Sequence, residues 1–291
     1  MRKAYTQLHL AVLLAGLTGI LGRLITLNEL MIVCYRMLLT VLSMWVLFAW
    51  RKKIESLSTL TIAKIMSVGM IAALHWLTFY GAIKYANVSI ALVCFAAIGF
   101  FTALFEPLIL KQSLNGRELL LGLLTLTGVY IIFHFDTRYT TGIMIGLVSA
   151  LLAALFPIFN RELLKKTNVE SLLVWQQLGG FLFMAALIPV YRQFLPNIRL
   201  LPTVEDFLWL LVLSWICSVW AFQLSGAALK KLSAFTVNLS YNLEPVYGIV
   251  LAFVFFREDQ LLKTSFFWGL GLILLALGLH AAMIFSQKKR A

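Results

Sequence analysis

Apolar runs bounded by charged or turn-forming residues follow one another along the whole chain. A helix rising about 1.5 Å per residue needs about 20 such residues to cross a hydrocarbon core about 30 Å thick. That rule places spans at 8–27, 30–50, 65–83, 88–110, 119–135, 142–160, 171–191, 207–229, 233–256 and 265–285. The apolar pattern is helical rather than alternating, and each run is about twice as long as a barrel strand, which excludes a β-barrel. The expected fold class is therefore an all-α integral membrane protein with ten transmembrane helices. The longest connection, around Arg192 to Asp206, contains Pro196 and Pro202 and reads as a surface loop. Met1-Arg2-Lys3 followed by an apolar run imitates a signal peptide. The run continues to about Leu27 without an A-x-A cleavage site, so a retained first span is expected.

Composition agrees with a lipid solvent. Of 291 residues, 62% are hydrophobic and 12% charged, and mean hydropathy is +0.93. A soluble domain carries about twice that charged fraction. The net charge of +12 would suggest nucleic acid in a soluble protein. Here it reflects basic residues retained in cytoplasmic loops, so no nucleic-acid partner is expected. Cys34, Cys94 and Cys217 lie inside apolar runs without metal-site spacing, and they read as small hydrophobes.

Charge also orients the chain. With the amino terminus inside, cytoplasmic segments hold Arg2, Lys3, Arg51, Lys52, Lys53, Lys64, Lys111, Arg117, Arg161, Lys165, Lys166, Lys230, Lys231, Lys288, Lys289 and Arg290. The outer segments hold Lys84, Arg138, Arg192, Arg199, Arg257 and Lys263. Sixteen against six predicts cytoplasmic termini, as an even number of spans requires, in a bacterial inner membrane.

The two halves resemble each other. Span 3 ends Gly81-Ala82-Ile83-Lys84 and span 8 ends Gly226-Ala227-Ala228-Leu229-Lys230. A charged hairpin follows span 4 at Lys111 to Glu118, and another follows span 9 at Arg257 to Lys263. Five helices per half is an odd number, so the second half enters the membrane inverted, a recurring transporter architecture. These paired halves, the Lys-bearing ends of spans 3 and 8, and Leu-Glu-Pro-Val at 243–246 resemble the EamA family of the drug/metabolite transporter superfamily. The resemblance covers essentially the whole chain, as repeats 1–138 and 139–291. Span 1 departs from it, with Gly16-x-x-Gly19-x-x-Gly22-Arg23 in place of the family's Trp-Gly opening. Glu106-Pro107 lies about two turns later than Glu244-Pro245 predicts when Lys84 and Lys230 are aligned. The resemblance implies a central cavity lined mainly by spans 1, 3, 4, 6, 8 and 9.

Ionisable groups inside spans are expensive and mark function by default. Four occur: Arg23, Arg36, Glu106 and Glu244. Arg23 lies about 7 Å from the outer end of span 1 and Arg36 about 10 Å down span 2, so they share a layer. Either they hold a carboxylate or phosphate bidentately, or they snorkel or form an internal ion pair. Arg23 is the stronger substrate candidate, because the resemblance places span 2 toward the periphery. Glu244 is too deep to snorkel, and Pro245 frees a carbonyl near Tyr241. Asn238, Ser240, Tyr241 and Asn242 make its surroundings the most polar patch in any span. Glu244 and Glu106 are the coupling candidates; the alternative is a Pro-kinked helix with a neutral, hydrogen-bonded Glu. His75, Trp76 and Tyr80 in span 3, and Gln223 near Trp220 in span 8, supply an aromatic wall with polar tips. Singly, each such ring is as readily core packing. Pro157 with Asn160 marks a bend in span 6.

These features predict a secondary carrier working by alternating access. Its cargo is a small organic, amino-acid-like metabolite, and the resemblance implies export. Drug efflux and nucleotide-sugar transport are the rivals within that class. A Walker A sequence, HExxH, GxSxG and clustered His/Asp are all missing, so neither an ATP-driven pump nor a membrane-embedded enzyme is expected, and no cofactor or metal. The expected partners are the lipid bilayer, a small-molecule substrate and a second copy of the chain as a homodimer.

Overall fold

Side chains that satisfy orphan backbone N–H groups set where the helices begin. The structure, a computed structural model, describes residues 2–229, 231–232 and 240–288. Its α-helices are α1 (Arg2–Leu24), α2 (Glu29–Trp50), α3 (Thr59–Tyr85), α4 (Val88–Phe95), α5 (Ile98–Leu110), α6 (Gly116–Phe135), α7 (Thr140–Leu163), α8 (Val169–Phe194), α9 (Val204–Leu211), α10 (Ala221–Leu229), α11 (Glu244–Phe256) and α12 (Thr264–Lys288). Asn28, Ser58, Asn87, Asn115 and Asn168 cap α2, α3, α4, α6 and α8 through their side chains. Thr203 and Asp206 form a reciprocal capping box on α9.

Among the described residues, nine helical stretches are long and apolar enough to cross a membrane, and α11 is a shorter apolar helix. Three details depart from ten uninterrupted spans. Span 4 breaks at Ala96–Ala97 into α4 and α5. Span 8 opens into a π-helical stretch, Val212–Trp220, between α9 and α10. In span 9 a turn at Asn242–Leu243 precedes α11, so Glu244 starts a helix, with Pro245 in its first turn, where no donor is needed. The inverted repeat is visible in detail. Helices α5 and α11 each have 13 residues and each end on a left-handed basic residue, Lys111 and Arg257. Lys111 and Arg257 are separated by the same sequence offset as Lys84 and Lys230. Ile98, not Glu106, is therefore the counterpart of Glu244.

Contacts fix the directions. His9 meets Tyr247, Gly16 meets Gly248 and Arg23 meets Glu258, so α1 and α11 run parallel. Ala11 and Leu14 pack with Ala221 and Leu224, and Ala4 and Leu8 with Ala228 and Leu232, so α10 runs antiparallel to α1. Helix α12 runs antiparallel to α6, where Gly128 and Gly269 let the backbones touch; a Cβ on Gly128 would lie 2.6 Å from the Gly269 carbonyl oxygen. The face holding residue 2 is called the terminal face, and the opposite one the distal face.

Burial differs between them. Near the distal face one continuous apolar core runs from Ile20, Leu21 and Ile25 through Ile83, Val88 and Leu92 to Ile249. Near the terminal face the buried side chains separate. One cluster joins α1 to α10 and α11, and another, including Ile65, Leu163 and Leu172, joins α3, α7 and α8. Helix α4 packs on α7 and α11, whereas α5 turns to α6 and α7. The breaks at Ala96–Ala97 and Asn242–Leu243 thus interrupt helices that come together distally and part toward the terminal face. Polar ties close the distal loops. Asp206 accepts from the Thr26 N–H at 2.6 Å and from Arg199, and the Lys84 ammonium donates to the Ile25 carbonyl. Arg138 holds Asp136 through two hydrogen bonds that keep its carboxyl below the usual carboxylate range.

Candidate functional site

Arg36 organises the centre of the bundle. It is buried on α2, and its Nη1 donates to the Tyr80 hydroxyl at 2.7 Å while its Nε donates to Ser218 Oγ at 3.2 Å. The guanidinium lies 4.1 Å from the centroid of the Trp76 ring. Trp76 and Tyr80 are one turn apart on α3, so a single helix face supplies both the π surface and the hydroxyl. Ser218 comes from the π-helical stretch, whose wider turns also let Ser214 donate to the Arg36 carbonyl at 3.3 Å. A guanidinium has more N–H groups than these bonds consume. Among the described residues no carboxylate forms an ion pair with Arg36. The carboxylate of Glu244 is nonetheless near enough to act on it electrostatically.

Glu244 stands at the break before α11, half-buried, and within electrostatic reach of Tyr80 and Tyr241. The hydroxyls of Tyr241 and Ser225 hydrogen-bond, and Asn242 lies half-buried in the turn itself. Arg36 and Glu244 are thus within electrostatic reach of each other without an ion pair between them, and Trp76 lies against the guanidinium. The site is lined by hydroxyls that both donate and accept. Asn238, the remaining member of this polar patch, lies outside the described residues.

Other expected site residues go elsewhere. Arg23 donates to Glu258 and stacks 4.3 Å from the Phe256 ring centroid, so its charge is matched inside the protein, as the ion-pair alternative had it. Glu106 accepts from Arg161 Nη1 at 2.7 Å at the terminal-face end of α5, and both side chains are partly exposed. His75 is buried among Phe79, Phe95 and Phe156, and its Nδ1 lies 2.9 Å from Ser149 Oγ, an α3–α7 contact within electrostatic reach of Arg36. Gln223 is exposed together with Trp220, off the face that carries Ser218.

Two contributors weigh more than the sequence indicates. Arg36, one of the four ionisable groups in spans, ranks below Arg23 there because the resemblance places span 2 toward the periphery, yet Trp76 and Tyr80 one turn apart form a face able to receive a guanidinium. Ser218 had no mark, since a π-helical stretch shifts its direction without a sequence signature. Among the described residues no group of three or more His, Cys, Asp or Glu converges as a metal set.

Comparison with known proteins completes the description. The model of the EamA-like transporter family matches the chain twice, over residues 2–134 and 140–282. An uncharacterized transporter of Haemophilus influenzae is 27% identical over 161 residues, covering 52% of this chain and 53% of that protein. The chain thus spans about half the length of that curated relative. A solved crystal structure shares the fold with a TM-score of 0.65 over 100% of both chains, at 13% sequence identity.

Proposed function

The chain belongs to the EamA-like transporter family, and on that premise we propose that it is a secondary carrier exporting small amino-acid-like metabolites by alternating access. One observation carries the substrate class: Arg36 lies over Trp76 with Glu244 in electrostatic range but not bonded to it. A buried guanidinium with spare donors is set up for a carboxylate, which it binds through parallel hydrogen bonds. Glu244, within electrostatic reach, suits an ammonium group, and Trp76 offers a flat apolar surface beside the guanidinium. Tyr80 and Tyr241, both within electrostatic reach of Glu244, and Asn242 in the turn are the groups we assign to orienting the cargo. A zwitterion thus completes two charges that the protein leaves apart. Glu244 is also the group we assign to coupling, because its carboxylate can exchange a proton for the cargo's ammonium.

The test is counterflow into proteoliposomes loaded with amino acids, their amides and their decarboxylated amines, with and without a pH gradient. Arg36→Gln should raise KM for carboxylated cargo by about tenfold or more, the scale of a charge-assisted hydrogen bond, and spare the amines. Glu244→Gln should still exchange cargo at equal concentrations but fail to accumulate it against a gradient. Equal losses for acids and amines in Arg36→Gln would overturn the assignment of the carboxylate.

A further inference from the structure

Glu258 is the most completely enclosed carboxylate of the distal face. It sits in the short turn Glu258–Gln260 that follows α11, with no exposed side-chain area. Its Oε1 accepts from the Val88 N–H at 3.1 Å and its Oε2 from the Ser89 N–H at 2.8 Å. These are free donors of the first turn of α4, where the aligned peptide dipoles favour an anion. Arg23, at the end of α1, donates to the same carboxylate. One side chain from the second half therefore ties α1 and α11 to the start of α4 in the first half. The tie crosses the line along which the distal core is closed: Leu92 lies just below it on α4, packed between Gly19 of α1 and Gly248 of α11.

The terminal face offers the contrast. Helix α7 occupies in the second half the place that α1 has in the first, and it too ends near an arginine, Arg161. That arginine is bonded to Glu106 on α5. That pair joins α5 to α7, which pack together as α1 and α11 do. Both arginine–carboxylate pairs join the two halves, but among the described residues it is on the distal face, where the core is continuous, that the carboxylate also binds the first amides of a third helix. Asn87 caps α4 through the Ile90 N–H alone, so the buried Val88 and Ser89 amides depend on Glu258.

We propose that Glu258 is a positioning residue of the transport cycle: its bonds to Arg23 and to the first amides of α4 hold the distal face shut, and the face opens only when they break. The inference rests on the carrier reading above, but its first test needs no cargo. In purified protein with Cys34, Cys94 and Cys217 replaced by alanine, Leu92→Cys should react slowly with a bulky maleimide. Adding Glu258→Gln should raise that rate by about tenfold or more, the scale of a lost charge-assisted hydrogen bond, with Glu258→Asp in between. An unchanged rate in Glu258→Gln protein purified at the parent's yield would sink the proposal. Should Glu258→Gln fail to fold, Arg23→Cys with Glu258→Cys, joined by a short reducible bis-thiol linker, answers the same question. The linked protein should carry no flux and recover on reduction, whereas full flux while linked would overturn the latch. Latch-dependent labelling in a parent that moves no amino acid would instead fault the cargo assignment and leave the latch standing.

Discussion

Burying a guanidinium without a carboxylate beside it is unfavourable by several kcal/mol unless hydrogen bonds and a π face compensate it. Arg36 has both, and the compensation is incomplete in a way that suits a ligand. Lysine would keep the charge but not the geometry, since an ammonium is a compact donor that cannot lie flat on Trp76 while reaching Tyr80 and Ser218. Arg36→Lys should therefore fold, by size-exclusion profile, yet bind carboxylated cargo about tenfold more weakly in a proteoliposome KM measurement. A KM within twofold of the parent would show that only charge matters at this position. Arg23, which the sequence ranked higher, differs in one respect that one-dimensional reading cannot supply. Its acid, Glu258, is remote in sequence and approaches only when α1 and α11 lie parallel. The depths of the two arginines were legible, but their partners were not.

At the scale of elements, an asparagine, serine or threonine caps α2, α3, α4, α6, α8 and α9, a local signal beside the hydrophobic lengths from which the spans are read. Pro245 lies just after the interruption of span 9, which the sequence reads as one continuous helix. Its counterpart at Ala96–Ala97 bears no proline or glycine, so tertiary contact, not local propensity, ends α4 there: Asn87 and Glu258 fix its start, while α5 follows α6 and α7. The glycines of spans 1 and 9 matter through close approach. A Cβ on Gly16 would lie 3.0 Å from the Gly248 nitrogen and 3.2 Å from the Glu244 carbonyl oxygen, both rigid backbone. Gly16→Val should force α1 away from α11, costing about 1–3 kcal/mol of stability by overpacking. It should also disturb Glu244, which sits on the displaced strand of backbone. Gly271, with open space around its missing Cβ, is the control. Thermal unfolding in detergent should fall for Gly16→Val and stay level for Gly271→Ala. Equal behaviour would mean that the α1–α11 crossing is more pliable than its backbone contacts imply.

For the whole molecule, the remaining degree of freedom is which face meets which compartment. The fold places residue 2 and the end of α12 on one face, since α1 and α11 run one way and α12 returns. Nothing in helix packing itself distinguishes inside from outside. Charge does, because loops rich in lysine and arginine are retained on the cytoplasmic side during insertion. The terminal-face segments carry Arg51, Lys52, Lys53, Lys111, Arg117, Arg161, Lys165 and Lys166, against Lys84, Arg138, Arg192, Arg199, Arg257 and Lys263 on the distal face. We therefore expect the terminal face to be cytoplasmic and the chain to lie in a bacterial inner membrane, with its continuous, latched core toward the outside. A cysteine placed at Asn197, in the exposed loop after α8, should react with an impermeant thiol reagent added to intact cells. One placed at Lys52, in the exposed turn after α2, should react only after the membrane is opened. Each position is chosen because it is exposed and lies outside the helices, so a lack of labelling reports sidedness rather than burial. The reverse pattern would invert the molecule, turn the distal latch into an inner one and make export through the same site an uptake reaction.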